Sequence, residues 1–524
     1  MTRRVWGTLV IVTVSLVYLL RLDRAAGLMI DDAWYLVLAK ALAAGDGYRL
    51  TSSAAVAIMP VVPPGFPALL APVFAILPKF PDNLLLLKSI SIAAMAGVGV
   101  ATYRYLTQVR PVEPWVAAAV TVATLLTPAL VFLATSTVMA EAAFTLMQLV
   151  AVILLDRSRD DAPADGRRTA LAGVAMAAAV LVRSAGAAML LGGVLYLLHQ
   201  RSWRRLAVFA GTGALCLAPW LGYSAAHAPT AEQSASHGGT IALAYSDLLA
   251  MRRAGNGDAG RASVDELPAR VARNAVNVIG RDIGGVFAPG LYRGASESGE
   301  ETVSIGGAGA SMGSALGTMV VSFGLSGVVL LGLVVNMRSR GSAADTLVIA
   351  SFAMTLLVST RTFRYVLPLT PFLWLYLATG LRSLASLVER PYASAGPNQF
   401  VLHRVLFLSL IALQLRDHVQ YVRLKAADPP AADWLLDARA VDEVLAWVEG
   451  NLPAGAPLAS TNPGLVYLRT GRTGVVAVAP ASHVDAWRAV GIHYMVSLQP
   501  TAPPPKSLGF RRLYEHQRLW VVEF

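Results

Sequence analysis

Six charged side chains stand where an apolar chain tolerates charge least: Asp31, Asp32, Glu141, Arg183, Arg361 and Arg364. Each falls at the edge of a long apolar run, where a charge is costly unless it is paired or used. Acids set against arginines suggest one chemistry. Arginine is planar, permanently charged and able to grip a phosphate through two parallel hydrogen bonds. A carboxylate can take the proton from an attacking hydroxyl, contributing on the order of 10²–10⁴-fold in rate. Together they suit displacement at a sugar carbon whose leaving group is a lipid-linked phosphate. Asp31 is the expected general base, and Asp32 and Glu141 are the other candidate catalytic acids. Arg183, Arg361 and Arg364 are the candidate phosphate clamps. Tyr35 and Tyr365 are the candidate pocket residues.

Each of these residues also has a plainer use. Asp31 and Asp32 can cap a helix beginning at Ala33, and one can cap while the other reacts. Glu141 can cap the helix that follows it, and Arg183 can snorkel to an interface. Arg361 and Arg364, three apart, share a face if their turn is helical and can be flanking anchors. Tyr35 can simply pack.

The elements that must position them follow from composition. The 524 residues are 55% hydrophobic and only 14% charged, with a mean hydropathy of +0.56. Apolar runs long enough to span lipid recur along the chain, which excludes a soluble enzyme and points to a polytopic helical membrane protein. The net charge of +11 resides largely in short arginine-bearing loops. Topology explains it better than nucleic-acid binding, and no nucleic-acid partner is expected. A single cysteine, Cys216, makes an intramolecular disulfide impossible.

With Arg3 and Arg4 cytoplasmic, the first span carries Asp31 and Asp32 outside. Residues 33–44 then form a helix expected to lie along the membrane surface, stopped by Gly45-Asp46-Gly47. A short proline-bounded helix is expected over 66–77, followed by spans over 84–106, 115–133 and 140–155. The next pair, 169–182 and 185–198, reads as a hairpin with Arg183 at its outer turn, and 206–223 follows. A long outer loop runs over 225–314, with one amphipathic helix at 264–279. Spans at 315–335, 346–359, 366–387 and 401–415 complete about eleven crossings. The membrane domain is thus 1–416, with a first outer loop at 21–65. Residues 417–524 read as a small extracytoplasmic α/β domain, helical over 441–451, with strands at 458–461, 474–478, 494–498 and 519–524.

Taken in order, these features resemble the polytopic glycosyltransferases of the GT-C fold, nearest the protein O-mannosyltransferases and lipid A aminoarabinose transferases. The resemblance rests on Asp31-Asp32-x-x-Tyr35 after the first helix, Gly45-Asp46-Gly47-Tyr48, and Pro63-Pro64-Gly65-Phe66-Pro67. It continues through Glu141, the segment from Gly173 to Arg183, Pro219-Trp220, and Arg364-Tyr365 before a proline-bearing helix. It implies an inverting transfer from a polyprenyl-phosphate sugar donor to an extracytoplasmic acceptor, in the bilayer of a bacterial inner or other plasma membrane. It also implies Asp31 at the reaction centre, Glu141 beside it and Arg183 on the lipid phosphate. One departure is that Val61-Val62 precede the proline pair where many relatives carry a charge, so Arg361 or Arg364 would supply that phosphate contact. Some relatives hold a divalent metal ion near the acids. Here that cofactor stays open, with Asp31 and Glu141 as its ligands if present.

The competing class is a transporter or flippase for a lipid or solute, whose acids would gather near the bilayer midplane, often within inverted repeats. A non-catalytic assembly or sensor protein would leave the acids without a role. Convergence of Asp31, Glu141 and Arg183 on one outward cavity favours transfer, whereas a midplane cluster favours transport. Neither sugar nor acceptor is named by any motif.

Overall fold

In the computed structural model the described residues are 3–53, 61–158, 165–228, 250–252, 260–289, 315–359, 363–389, 401–428, 430–476, 480–489, 491–500, 502–504 and 509–524. They form a mostly helical body followed by a small mixed sheet.

Helix α1 (Arg3–Arg21) leaves Leu9, Ile11, Val12, Leu16 and Leu19 uncovered. Such a face has no business in water, and lipid is its natural surrounding. Helix α2 (Asp31–Ala44) ends at Gly45, whose φ of 82° gives the left-handed cap that the Gly45-Asp46-Gly47 stop implies. Ala33, Leu36, Val37, Leu38 and Ala39 are all fully buried, because α3 (Gly65–Ile76) packs against it and the C-terminal domain covers it as well.

Helix α4 (Leu84–Arg104) is long and apolar. The span expected over 115–133 is instead two helices, α5 (Pro114–Leu125) and α6 (Pro128–Thr135), bent by 47°. Pro128 explains the break, since its ring excludes the preceding carbonyl and it brings no N–H. Helix α7 (Glu141–Arg157) then runs back, and α8 (Asp165–Val182) and α9 (Gly186–His199) form the expected hairpin. Helix α10 (Trp203–Ala226) follows. Most of the long loop lies outside the described residues. Its amphipathic helix is present as a turn at Val264–Glu266 leading into Leu267–Asn277.

Two further long helices, Ala315–Arg340 and Thr370–Glu389, cross so tightly that a Cβ on Gly332 would lie 1.8 Å from the Tyr376 carbonyl oxygen. Only glycine permits that approach. Between them stand Ala343–Leu357 and the short turn Phe363–Val366. Among the described residues three helices are long and apolar enough to cross a membrane, or four if the bent α5–α6 pair is one span.

The final helix of the body, Val401–Ala426, continues past Arg416, where composition alone placed the end of the membrane domain. Its extra turns carry Tyr421 and Lys425 onto the end of α1. Lys425 donates to Leu20 O at 2.9 Å, and the Arg21 guanidinium lies 3.7 Å over the Tyr421 ring.

The C-terminal domain starts with the helix Asp433–Asn451. Its five strands, β1 (Leu458–Ser460), β2 (Gly474–Val476), β3 (Tyr494–Ser497), β4 (Arg511–His516) and β5 (Leu519–Glu523), are ordered β2-β1-β3-β5-β4. The first three are parallel, and β5 and β4 close the sheet antiparallel. Ala459, Val475, Trp487, Met495, Trp520 and Val522 make one side of its core. The helix Pro463–Thr470, between β1 and β2, rests on α2.

Candidate active site

Asp31 reaches its position through an unusual turn. Its N–H donates to Met29 O at 2.6 Å, which closes a three-residue turn around Ile30, whose φ is 61° and ψ −59°. A γ-turn of this hand is rare and strained, and a β-branched residue makes it worse. Strain of that kind costs on the order of 1–3 kcal/mol and persists only where its surroundings hold it.

Asp32 is one of the things that hold it. Its side chain is completely buried and takes three backbone N–H donors: Gly27 at 2.7 Å, Met29 at 3.0 Å and Ala33 at 3.0 Å. Burial and the neighbouring Asp31 charge push its carboxyl up to about 6, against those donors. Of the two adjacent acids, Asp32 is therefore bonded into the loop, and Asp31 faces the cluster.

Glu141 opens α7 and is fully buried. It does not cap its helix. Its Oε1 instead meets two arginines. Arg183, in the α8–α9 turn, forms an ion pair with it through Nη1. Arg364, in the Phe363–Val366 turn, donates to it through Nε at 3.0 Å and places Nη2 at 2.9 Å. The same guanidinium donates through Nη1 to Asp31 Oδ2 at 2.9 Å. One planar group thus spans two carboxylates, a task that suits the guanidinium fork. The Asp31 side chain remains 37% exposed, whereas that of Glu141 is entirely covered. Of these two acids, Asp31 is the one open to solvent.

The arginines are located by their own neighbours. Asn274 donates from Nδ2 to Leu356 O and Val358 O, each at 3.0 Å, tying down the end of the helix that precedes the Arg364 turn. The Arg183 guanidinium lies 5.5 Å over the ring of Tyr365. Tyr35 meets Phe66 edge-on at 5.1 Å, and burial together with the Asp31 charge pushes its phenol up, so it stays protonated. Of the eight residues singled out by sequence, Asp31, Glu141, Arg183, Arg364, Tyr35 and Tyr365 come together. Asp32 supports from beneath, and Arg361 lies outside the described residues.

Arg364 takes up one oxygen of each acid, Asp31 Oδ2 and Glu141 Oε1, while Glu141 Oε2 is buried without a hydrogen-bond partner. Among the described residues no group of three or more His, Cys, Asp or Glu could ligate a metal.

Two buried networks escaped the sequence reading. Lys88, fully buried in α4, donates to Asp23 Oδ1 at 3.0 Å and to the carbonyls of Asp23 and Thr135 at 2.8 Å each. Tyr421 completes it by donating to Asp23 Oδ2 at 3.1 Å. This network joins the ends of α1, α4, α6 and the Val401–Ala426 helix close behind the acidic loop. A lysine four residues into an apolar span was its only signal. At the other end of α7, roughly 24 Å away at 1.5 Å per residue, Arg110 is fixed to Asp345 at 3.2 Å, Ser342 at 2.6 Å and Asn336 at 3.0 Å. That network locks the far ends of the helices, where no candidate site residue stands.

No protein-family model and no curated protein matches the sequence. Solved structures do match its shape. ArnT from Cupriavidus metallidurans bound to undecaprenyl phosphate superposes with a TM-score of 0.57 at 14% identity, covering 99% of this chain and 98% of that one. The archaeal oligosaccharyltransferase AglB from Archaeoglobus fulgidus, in complex with an inhibitory peptide and a dolichol-phosphate, gives 0.55 at 10% identity, over 94% of this chain and 69% of that one. An Archaeoglobus fulgidus oligosaccharyltransferase in complex with Zn and sulfate gives 0.56 at 12% identity, over 93% and 67%. The chain has the GT-C fold. The resemblance drawn from motifs and their order therefore holds at the level of architecture. Within this GT-C fold the four charged residues come from the start of α2, the start of α7, the α8–α9 turn and the turn before the Thr370–Glu389 helix. All four lie at or next to helix ends.

Proposed function

We propose that this protein is an integral membrane glycosyltransferase that moves a sugar, with inversion, from a polyprenyl-phosphate donor to an acceptor at the extracytoplasmic face. The observation that carries the proposal is the single cluster in which Arg364 bridges Asp31 and Glu141 while Arg183 pairs with Glu141. Asp31, the accessible acid, takes the proton of the acceptor hydroxyl. The hydroxyl oxygen bonds to the anomeric carbon as the bond from that carbon to the phosphate oxygen breaks. The electron pair leaves with the polyprenyl phosphate, whose added charge Arg183 and Arg364 stabilise. Attack opposite the leaving group in one step gives inversion. Glu141 holds both arginines in place and, together with Asp31, balances their charge before the donor arrives. Asp32 acts on the loop.

The undecaprenyl phosphate and dolichol-phosphate bound in the superposed structures favour a lipid-linked donor. The position of the cluster at helix ends favours transfer over the transport of a solute through the midplane. With Arg3 and Arg4 cytoplasmic and about eleven crossings, the site and the C-terminal domain share the outer side. The test is to incubate the purified protein with a panel of polyprenyl-phosphate sugars and candidate acceptors and to measure released polyprenyl phosphate. No release with any donor, from protein that still binds the lipid phosphate, overturns the proposal.

A further inference from the structure

The C-terminal domain meets the acidic loop closely at Gly27. Gly27 has a φ of 87°, and a Cβ there would lie 2.6 Å from Leu465 Cδ1 of the domain. Left-handed geometry and close approach together demand glycine. Its two polar backbone atoms face opposite partners. The N–H donates to Asp32 Oδ2 at 2.7 Å, inside the loop. The carbonyl accepts from Asn462 Nδ2 at 2.6 Å, across from the domain.

Asn462 is itself held. It is 2% exposed, its Oδ1 accepts from Leu465 N–H at 3.1 Å as the cap of the Pro463–Thr470 helix, and its own N–H donates to Ser460 Oγ at 3.1 Å. Both ends of its amide are committed, so its Nδ2 cannot turn away without uncapping the helix. A second tie lies further along the loop, where Gly474 N–H donates to Ser52 O at 2.8 Å.

We propose that the C-terminal domain is a working part of the site, with Asn462 as a positioning residue that holds the strained turn presenting Asp31. The order of contact is Asn462 to Gly27, Gly27 to Asp32, and Asp32 to Met29 and Ala33, on either side of Ile30. A positive-φ isoleucine relaxes unless both flanks are pinned, and relaxation swings Asp31 off Arg364. Asn462 meets no reacting atom. Its effect on rate rests on the transfer reaction proposed above, whereas its effect on the loop does not.

The discriminating variant is Asn462→Asp in the full-length protein. It keeps the oxygen that caps the Pro463–Thr470 helix and replaces the donor to Gly27 with an acceptor. Hydrogen exchange read by mass spectrometry should quicken about tenfold or more over residues 25–33, with the helix Asp433–Asn451 and strands β1 and β3 unchanged. Under the transfer assay kcat should fall about tenfold with KM for the donor lipid unchanged, and Asn462→Gln should not rescue, its amide being one methylene too far out. Unchanged exchange over 25–33 overturns the proposal, and so does exchange that rises equally through the domain, which would mark a folding role alone. Wild-type protein that transfers no sugar while the variant still loosens 25–33 would sink the proposed reaction and leave the loop device standing.

Discussion

Arg364 and Asp31 are 333 positions apart in the chain and 2.9 Å apart in space. The same arginine reaches Glu141, so one side chain sets the spacing of both acids.

Asp31→Asn keeps the size of the side chain and an oxygen for Arg364 but removes the proton acceptor. Transfer should fall by about 10²–10⁴-fold, while expression and binding of labelled polyprenyl phosphate stay near wild type. Full turnover in this variant would exclude Asp31 as the base.

Arg183→Ala should act twice. It removes one phosphate contact, so KM for the donor rises. It also leaves Glu141, whose side chain is completely buried, with one guanidinium instead of two. Losing a partner of a buried charge costs up to about 3–5 kcal/mol, lessened here by Arg364. The thermal midpoint should drop and should recover when Glu141→Gln is added, while KM stays high. Recovery of both would mean that Arg183 serves the fold and not the donor.

Arg364→Lys tests the bridge. An ammonium is a point charge and cannot span two carboxylates as a planar fork does. Both Arg364→Lys and Arg364→Ala should lose about 10²-fold or more in kcat, the scale of one lost donor to developing charge. A lysine variant of near wild-type rate would show that charge alone suffices.

The Asp32 carboxyl titrates at about 6 in the folded protein, against an ordinary value of 3.8. Folding therefore takes up a proton between these values. Its contribution to stability is fully present below about pH 4 and is lost as pH rises through about 6. Wild-type protein should accordingly melt higher at pH 5 than at pH 7.5, and Asp32→Asn should narrow that difference. An equal difference in both proteins would assign the pH effect elsewhere.

Much of the candidate cluster is legible in the sequence. Asp31, Glu141, Arg183 and Arg364 stand out because charge at the rim of an apolar run is rare, and rarity needs no partner to be noticed. The hairpin around Arg183, the Gly45 stop and four of the five strands follow from local pattern in the same way. Strand β4 carries no strand pattern in the sequence because Arg511, Arg512, Glu515 and His516 crowd it with charge, as befits an exposed sheet edge. The full burial of α2 has no local signal, because part of its cover comes from the other end of the chain.

Sequence by itself determined that this is a membrane-embedded helical chain carrying acids and arginines at span boundaries, since the cost of charge near lipid is a property of single residues. Which acid faces the arginines and which is bonded into the loop was decided by tertiary structure alone. So was the reach of Asn462 to Gly27. Hydrogen bonds are satisfied within about 3 Å, and neighbours at that distance are chosen by packing, which no local stretch of the chain contains.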